Sequence, residues 1–507
     1  MEFERIPKEK FEFAQLDKDI HDKRLETKTR SFLADAMIRF KKNKSSVVAA
    51  YILLFLIIFA FVSPILSPNP LELKDKVFTN SPPFIREIAE KGWGIFDGAV
   101  THESQSEAQM NYWKGIAQET GYDPLVDILG TTETVVKFRG QDKINYTYKI
   151  STNKYYDTGV VYRVLSYEDF DAIQQWQNET GIQVIYPYVH PDDINGIVDN
   201  PNLWYKVDNK GNAVLDKDGN LQPVYCTNAE LEGRPYNSIR VEGDDGSYIY
   251  SIRKSGSVQV RVCYYNYYNY VNGHEPFYLF GTNSMGQCLF TAIGVGAKFS
   301  LIFALVISAI NLSIGAVYGA IQGYYGGMVD MLMDRFSDIM SGIPTMVVTI
   351  LFQLHLAQKV GPVGAFLFAF VMTGWIGMAA LTRKQFYRFK SQEFVFAART
   401  LGASDKRLMF KHIFPNAMGT IITSCALVIP GVIRSETTLT YLGIINLQEF
   451  AGTSIGTLMS QGQTSMTTSP HAMFFPAIYF ALLLICFNLF GNGLRDAFNP
   501  STRGVED

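Results

Sequence analysis

The dominant pattern in the chain is an uncharged run from Ser46 to Leu66, SVVAAYILLFLIIFAFVSPIL, 21 residues without Asp, Glu, Lys or Arg. As a helix it reaches about 31 Å, enough to cross a hydrocarbon layer roughly 30 Å thick. It is too long and too far along the chain for a cleaved leader, and no small-residue cleavage pattern follows it. Five more apolar runs come after residue 298: Phe299–Tyr318, Ile339–Leu356, Val363–Leu381, Ile421–Leu442 and His471–Phe490. The pattern predicts six transmembrane helices; the alternative makes one of the six a buried or re-entrant segment. Arg434 and Glu436 interrupt the fifth run. Charges at that depth line a water-filled path or lie inside a bundle. Two positions apart on a helix, these two do not face each other.

Charge sets the orientation. Arg39, Lys41, Lys42 and Lys44 precede the first run, which places residues 1–45 in the cytoplasm and the end of helix 46–66 outside. Arg383, Lys384, Arg388, Lys390, Arg399, Lys406, Arg407 and Lys411 crowd one predicted inside loop, and no Lys or Arg occurs between Arg434 and Arg495. Six spans return the tail, 499–507, to the cytoplasm.

Residues 71–280 have a different character, with 29 acidic against 19 basic residues, and the topology places them outside. The length suits one inserted domain. Strand patterns occur at Thr134–Phe138, Asn145–Ile150 and Gly159–Leu165. Gly/Asn turns at Asn209–Asn212 and Lys217–Asn220 sit between alternating apolar residues, a hairpin signature. SYIYSIRKSGSVQVRVCYYNYYNY predicts another hairpin, its tyrosines packing in a core or on a partner, or stacking a ligand. The expectation is an α+β, strand-rich extracellular domain.

Few patterns there suggest chemistry. Asp216, Asp218 and Asn220 resemble the opening of a calcium loop, but Leu221 and Thr227 occupy the required Gly and Glu positions, so turn chemistry explains them. His102–Glu103 and His274–Glu275 lack a second His, so no metal site is expected. Cys226 and Cys263, both on the oxidising side, either pair or remain separate thiols. A bond between them would stabilise by about 3–4 kcal/mol.

Composition removes several classes. At 507 residues, 47% hydrophobic, 18% charged and net −3, the chain has no basic excess for nucleic acid. Five cysteines do not make a disulfide scaffold. GVGAKFS at Gly294–Ser300 has the wrong spacing for a phosphate-binding loop, and no nucleophile elbow or metalloprotease helix occurs, so no catalytic residue and no ATPase is expected here. A conduit or a receptor remains.

The inside loop QEFVFAARTLGASDKRLMFKHIFPNAMG decides between them. A helix over Glu393–Leu401 puts Ala397, Ala398 and Leu401 on one side. Gly402 suits a left-handed helix end. After Ala403, Ser404 or Asp405 caps a second short helix through Lys411 or His412, and Pro415 stops or redirects it. Two short helices meeting at a sharp corner form a projection that another protein could grip; an interfacial amphipathic element is the plainer alternative.

This loop resembles the coupling motif of bacterial ABC-importer permeases, E-A-A-x-x-x-G followed by I-x-L-P. Ala397, Ala398, Gly402, Phe414 and Pro415 fall at matching positions; Phe414 stands for the motif's Leu, Phe396 for its Glu (Glu393 lies three residues earlier) and His412 for its Ile. EFVFAARTLGASDKRL with HIFPNA is similar to the oligopeptide and dipeptide permeases. RFKKNKSSVVAAYILLFLIIFAFVSPIL, FGTNSMGQCLFTAIGVGAKFSL, GAIQGYYGGMVDMLMDRFSDIMSGIPTM, SIGTLMSQG and GNGLRDAFNP resemble their C-type subunit, with Asn283, Gln287 and Cys288 in place of Asp, Arg and Asp. The resemblance covers roughly residues 32–70 and 278–503.

It implies an all-α polytopic membrane protein with the type I ABC-importer permease fold: helix 46–66, a permease core over 281–498, a coupling loop at 383–417 and the inserted domain 71–280. It also implies a homologous B-type permease, two cytoplasmic ABC ATPases that bind ATP and Mg so that this chain needs no cofactor, an extracellular peptide-binding lipoprotein, and peptide cargo crossing the bilayer. A nickel or metal-chelate importer is the near alternative. An exporter, or a receptor using the external domain, is more distant, and no output domain follows Arg495.

Overall fold

A computed structural model gives the architecture. The structure describes residues 32–138, 141–188, 201–202, 204, 214–215, 217–219, 225–227, 240–242, 245, 250–445, 447 and 452–498. A short amphipathic helix α1 (Phe32–Lys42) leads to α2 (Lys44–Leu66), whose start is capped by Asn43 accepting from the Ser46 amide. α2 is apolar on every side, so packing selects its buried stripe: Ser46, Ala49, Leu53, Leu56, Ala60 and Ser63, alternating three and four apart. Tyr51, Phe55 and Ile65 point away from the bundle.

The inserted region begins with α3 (Arg86–Ala89), β1 (Ala99–Ser106), α4 (Glu107–Thr120), β2 (Leu125–Phe138), β3 (Gln141–Asn153), β4 (Val160–Leu165), α5 (Tyr167–Thr180) and β5 (Ile185–Tyr186). It continues with β6 (Tyr225–Thr227), β7 (Arg240–Glu242), β8 (Ser251–Lys254), β9 (Ser257–Cys263) and α6 (Tyr264–Asn272). One sheet has the order β1-β3-β2, antiparallel; a second has β4-β9-β5, with β8 also on β9; β6 and β7 pair in parallel. The three strand patterns expected at 134–165 all fall in strands. α4 and α5 each start on a serine cap and end on a left-handed glycine, Gly121 and Gly181.

One expectation here changes. The tyrosine run is not a strand: β9 ends at Cys263 and Tyr264–Asn272 is a helix closed by Gly273. Spacings of one, three and four put Tyr264, Tyr265 and Tyr268 on one buried face, so they pack a core, with Phe78, Phe84, Tyr155 and Tyr278. Cys263 is a free buried thiol, pushed up to about 11 by burial, and the side chain of Cys226, its possible partner, lies outside the described residues. Asp216, Asn220 and Asn209–Asn212 also lie outside them, while Lys217 and Asp218 form a turn.

The base of this region is stitched to the helices. Asn69, just beyond α2, donates from Nδ2 to the Phe277 carbonyl at 2.8 Å and accepts from Tyr268 Oη at 2.7 Å. Thr291 Oγ1 donates to the Asn69 carbonyl at 2.7 Å. Tyr264 Oη donates to the buried Asp75 carboxylate.

α7 (Leu289–Tyr325) runs 37 residues without a proline, well past the expected Phe299–Tyr318. It packs along the later helix Ile376–Phe389 closely enough that a Cβ on Gly319 would collide with the Ala379 carbonyl. The helix expected over Ile339–Leu356 is broken instead: α8 (Gly327–Ser341) and α9 (Thr345–His355) meet at 72°. Pro344 has no N–H and disfavours helical geometry at Ile343, so the chain turns there. α10 (Ala357–Gly374), interrupted at Gly361, and α11 (Ile376–Phe389) contain the fourth expected span. α12 (Glu393–Thr400), α13 (Asp405–Arg407), a π-helical turn Leu408–Ile413, α14 (Phe414–Tyr441), α15 (Ile455–Thr464) and α16 (His471–Phe498) complete the chain. Among the described residues five helices are long and apolar enough to cross a membrane, and α8–α9 makes a sixth span if the bent pair counts as one.

Candidate functional site

The loop between α11 and α14 has the expected corner. α12 ends in two paired hydrogen bonds, Ala403 N–H to the Ala398 carbonyl at 3.1 Å and Gly402 N–H to the Arg399 carbonyl at 3.0 Å, which require a left-handed residue between them. Gly402 supplies it with φ +82°, and a Cβ there would meet open space, so the glycine serves the backbone rather than packing. Val395 and Ala398 face inward onto Ala320, Phe386, Leu408, Met409 and Ile413.

The sequence misplaced the outer side. Of Ala397, Ala398 and Leu401 only Ala398 is packed; Leu401 is 88% exposed, and Phe394 and Phe396 are exposed with it, as is Glu393. The second helix also differs. Ser404 precedes α13 without a side-chain cap, and the helical path continues through the π turn into α14 rather than ending at Lys411 or His412. Pro415 sits at the first turn of α14, where its missing N–H costs least, and the wider turn before it absorbs the ring. Phe414, half-buried, packs against the same inward cluster.

Asp405 is tied back to α7. Its Oδ1 accepts from Tyr324 Oη at 2.5 Å, and Arg399 Nη2 donates to that Tyr324 Oη at 3.3 Å, so one hydroxyl joins both limbs of the corner to the last turn of α7. A charged brace that sequence reasoning missed lies beside it. Arg383 Nη2 donates to Asp330 Oδ2 at 2.7 Å and Nη1 to Asp334 Oδ1 at 2.8 Å; Tyr387 Oη also donates to Asp330, and Lys390 Nζ to the Gly323 carbonyl at 3.0 Å. The signal existed: Asp330/Asp334 and Arg383/Tyr387 are both i, i+4 pairs, each on one face of its helix.

The two charges in α14 separate as their spacing requires. Glu436 is fully buried; its Oε2 accepts from Ser300 Oγ at 2.7 Å and Thr437 Oγ1 at 3.3 Å. Thr440 Oγ1 carries the network on, accepting from Ser454 Oγ at 3.3 Å, the cap of α15. Arg434 is exposed at the edge of a recess between α7, α9, α10 and α14. Where a charged lead-in to α7 was expected, Asn283 Oδ1 accepts from the Met285 and Gln287 amides, Asn283 Nδ2 donates to Gln287 Oε1 at 3.0 Å, and Gln287 Nε2 donates to the Leu71 carbonyl at 2.8 Å. Neutral amides close that turn without ionic partners.

Residues 291–504 match the family described as "Binding-protein-dependent transport system inner membrane component", and residues 31–83 match "N-terminal TM domain of oligopeptide transport permease C". The oligopeptide transport system permease protein OppC of Bacillus subtilis is 38% identical over 244 residues, 47% of this chain and 78% of that protein. The chain belongs to the oligopeptide-transport permease C family. The dipeptide transport system permease protein DppC of Bacillus subtilis is 36% identical, over 44% of this chain and 69% of that protein, and OppC of Escherichia coli 35%, over 45% and 74%. Among solved structures, the inward-facing MetNI methionine ABC transporter aligns with TM-score 0.33 and 12% identity over 41% of this chain and 96% of that one. This permease C chain is a multi-pass membrane subunit of an ABC transporter. Its two matched segments leave residues 84–290, which hold the sheets, between them.

Proposed function

We propose that this chain forms one half of the pathway of an importer of oligopeptides or dipeptides and converts ATP-driven closure of separate ATPases into alternating access. The observation that carries this reading is the corner at Gly402, a projection with an apolar outer surface and a cross-linked foundation. Phe396 and Leu401 enter a groove on an ATPase, with Phe394 and Glu393 at its margin. Ala397 lies against that partner, while Ala398, Ala403, Phe414 and Pro415 hold the corner to its own helices. Ser404 and Asp405 start the second limb, and Asp405 with Tyr324 passes displacement into α7. A B-type permease supplies the other half of the pathway. Residues 1–45, the coupling loop 383–417 and the tail 499–507 face the cytoplasm, as the lysine and arginine bias supports. The region 71–280 faces outside and docks a peptide-binding lipoprotein; its acid excess and its tight junction with α2 and α7 support that role. ATP and Mg are held by the ATPases, and this chain is non-catalytic.

Cysteine pairs test the corner. With Leu401→Cys in the assembled transporter, a bifunctional maleimide is expected to capture an ATPase subunit and to stop uptake of labelled peptide. Labelling of that cysteine from the outside of intact cells, without capture of an ATPase, overturns the reading.

A further inference from the structure

The recess beside Arg434 has a volume of about 540 Å³, inside the roughly 300–1,000 Å³ of small-ligand sites. Broken or glycine-bearing helices wall it: the α8–α9 bend, the α10–α11 junction and α14 around Gly431. Discontinuous helices of this kind expose backbone dipoles to a cavity inside a membrane protein.

Its polar groups are Asn311, Ser341, Thr345, Thr373, Arg434 and Ser435, and among the described residues no Asp, Glu or Lys lines it. Arg434 and Asn311 stand out among them. Arg434 is exposed, and no acidic side chain among the described residues pairs with it. A lone guanidinium at this depth is costly against lipid, so this surface meets water or an anion. Asn311 is 3% exposed, and its Oδ1 accepts no hydrogen bond. A buried amide oxygen left open needs a donor. Thr345 begins α9, so the positive end of an 11-residue helix adds to the attraction for negative charge.

We infer that this recess binds the carboxyl-terminal end of a peptide in transit, its carboxylate on Arg434 and its last amide N–H on Asn311. The inference rests on the peptide-import reading above. One ligand end carries both an anionic acceptor and, one residue back, a donor, and that combination matches the two open groups. It is also the part of a peptide that is independent of its side chains, as a transporter of varied sequences requires.

The test compares a labelled peptide as free acid and as carboxyl-terminal amide, in ATP-driven uptake by the complete transporter with its binding protein in proteoliposomes. The wild type takes up the acid in preference. Arg434→Gln lowers uptake of the acid by about tenfold to a hundredfold, the weight of a charge-assisted hydrogen bond, and brings the acid-to-amide ratio toward one. Arg434→Lys keeps part of the ratio, since charge survives without the fork. The binding protein is unchanged in these variants, so a change in ratio belongs to the permease. Equal losses for acid and amide overturn the inference, as does loss of the co-purifying second permease in Arg434→Gln, which makes Arg434 an intersubunit ion-pair residue. Uptake of neither form by the wild type removes the peptide-import reading itself, a result distinct from an unchanged ratio.

Discussion

At the scale of single residues the chain separates groups that serve the backbone from groups that serve a partner. Gly402 belongs to the first kind. Its φ of +82° costs an L-residue roughly 1–2 kcal/mol, while the open space around it removes any steric excuse. Gly402→Val is therefore expected to leave the helices folded and inserted, yet to reduce peptide uptake below a tenth of the wild-type rate by re-aiming the corner. Membrane content by immunoblot and transport in the same cells check this together. Normal uptake would show that the corner's direction does not matter. Leu401, 88% exposed beside the exposed Phe394 and Phe396, is assigned to the second kind by the proposal above.

At the scale of elements, what the sequence made legible was local. Twenty-one uncharged residues specify α2 without help, and a glycine after a helical pattern specifies the end of α12. Two of the misses come from contacts distant in sequence. YYNYYNY has strand composition, yet Tyr264 and Tyr268 find Asp75 and Asn69, nearly two hundred residues earlier, and the helix follows from those partners. Pro415 reads as a stop, but the π turn and the inward face of Leu408, Met409 and Ile413 carry the helix through it. The 72° bend at Pro344 was marked by Gly342 and Pro344, and apolar content concealed it. The tyrosine layer makes its own prediction. Burial pushes Tyr122 and Tyr156 up to about 12, with Arg86 opposing the shift in both. A tyrosine raised in the folded state stabilises below its unfolded pKa near 10 and loses that contribution as pH rises through the folded value. Purified protein should thus show delayed tyrosinate absorbance and lose the fold of this region between about pH 10 and 12. Ionisation of every tyrosine near pH 10 with the fold intact would refute the buried layer.

At the scale of the whole molecule, Asn69 joins the inserted region, α2 and α7 at one point. Asn69→Ala removes both side-chain bonds, a cost of about 0.5–1.5 kcal/mol per hydrogen bond. A lower melting temperature in detergent is expected, and an unchanged one would mean the junction is loose. Beyond that junction runs α7. Thirty-seven residues at 1.5 Å each make a rod of about 55 Å, some 25 Å longer than the oily layer it crosses. With no proline to bend it, the surplus must emerge as overhang or be taken up by tilt. A tilted strut pivots: a nudge at Tyr324 swings the opposite tip, where Gln287 and Thr291 are fastened, through an arc of opposite sign. Events on one face of the membrane and on the other are then two readings of a single angle.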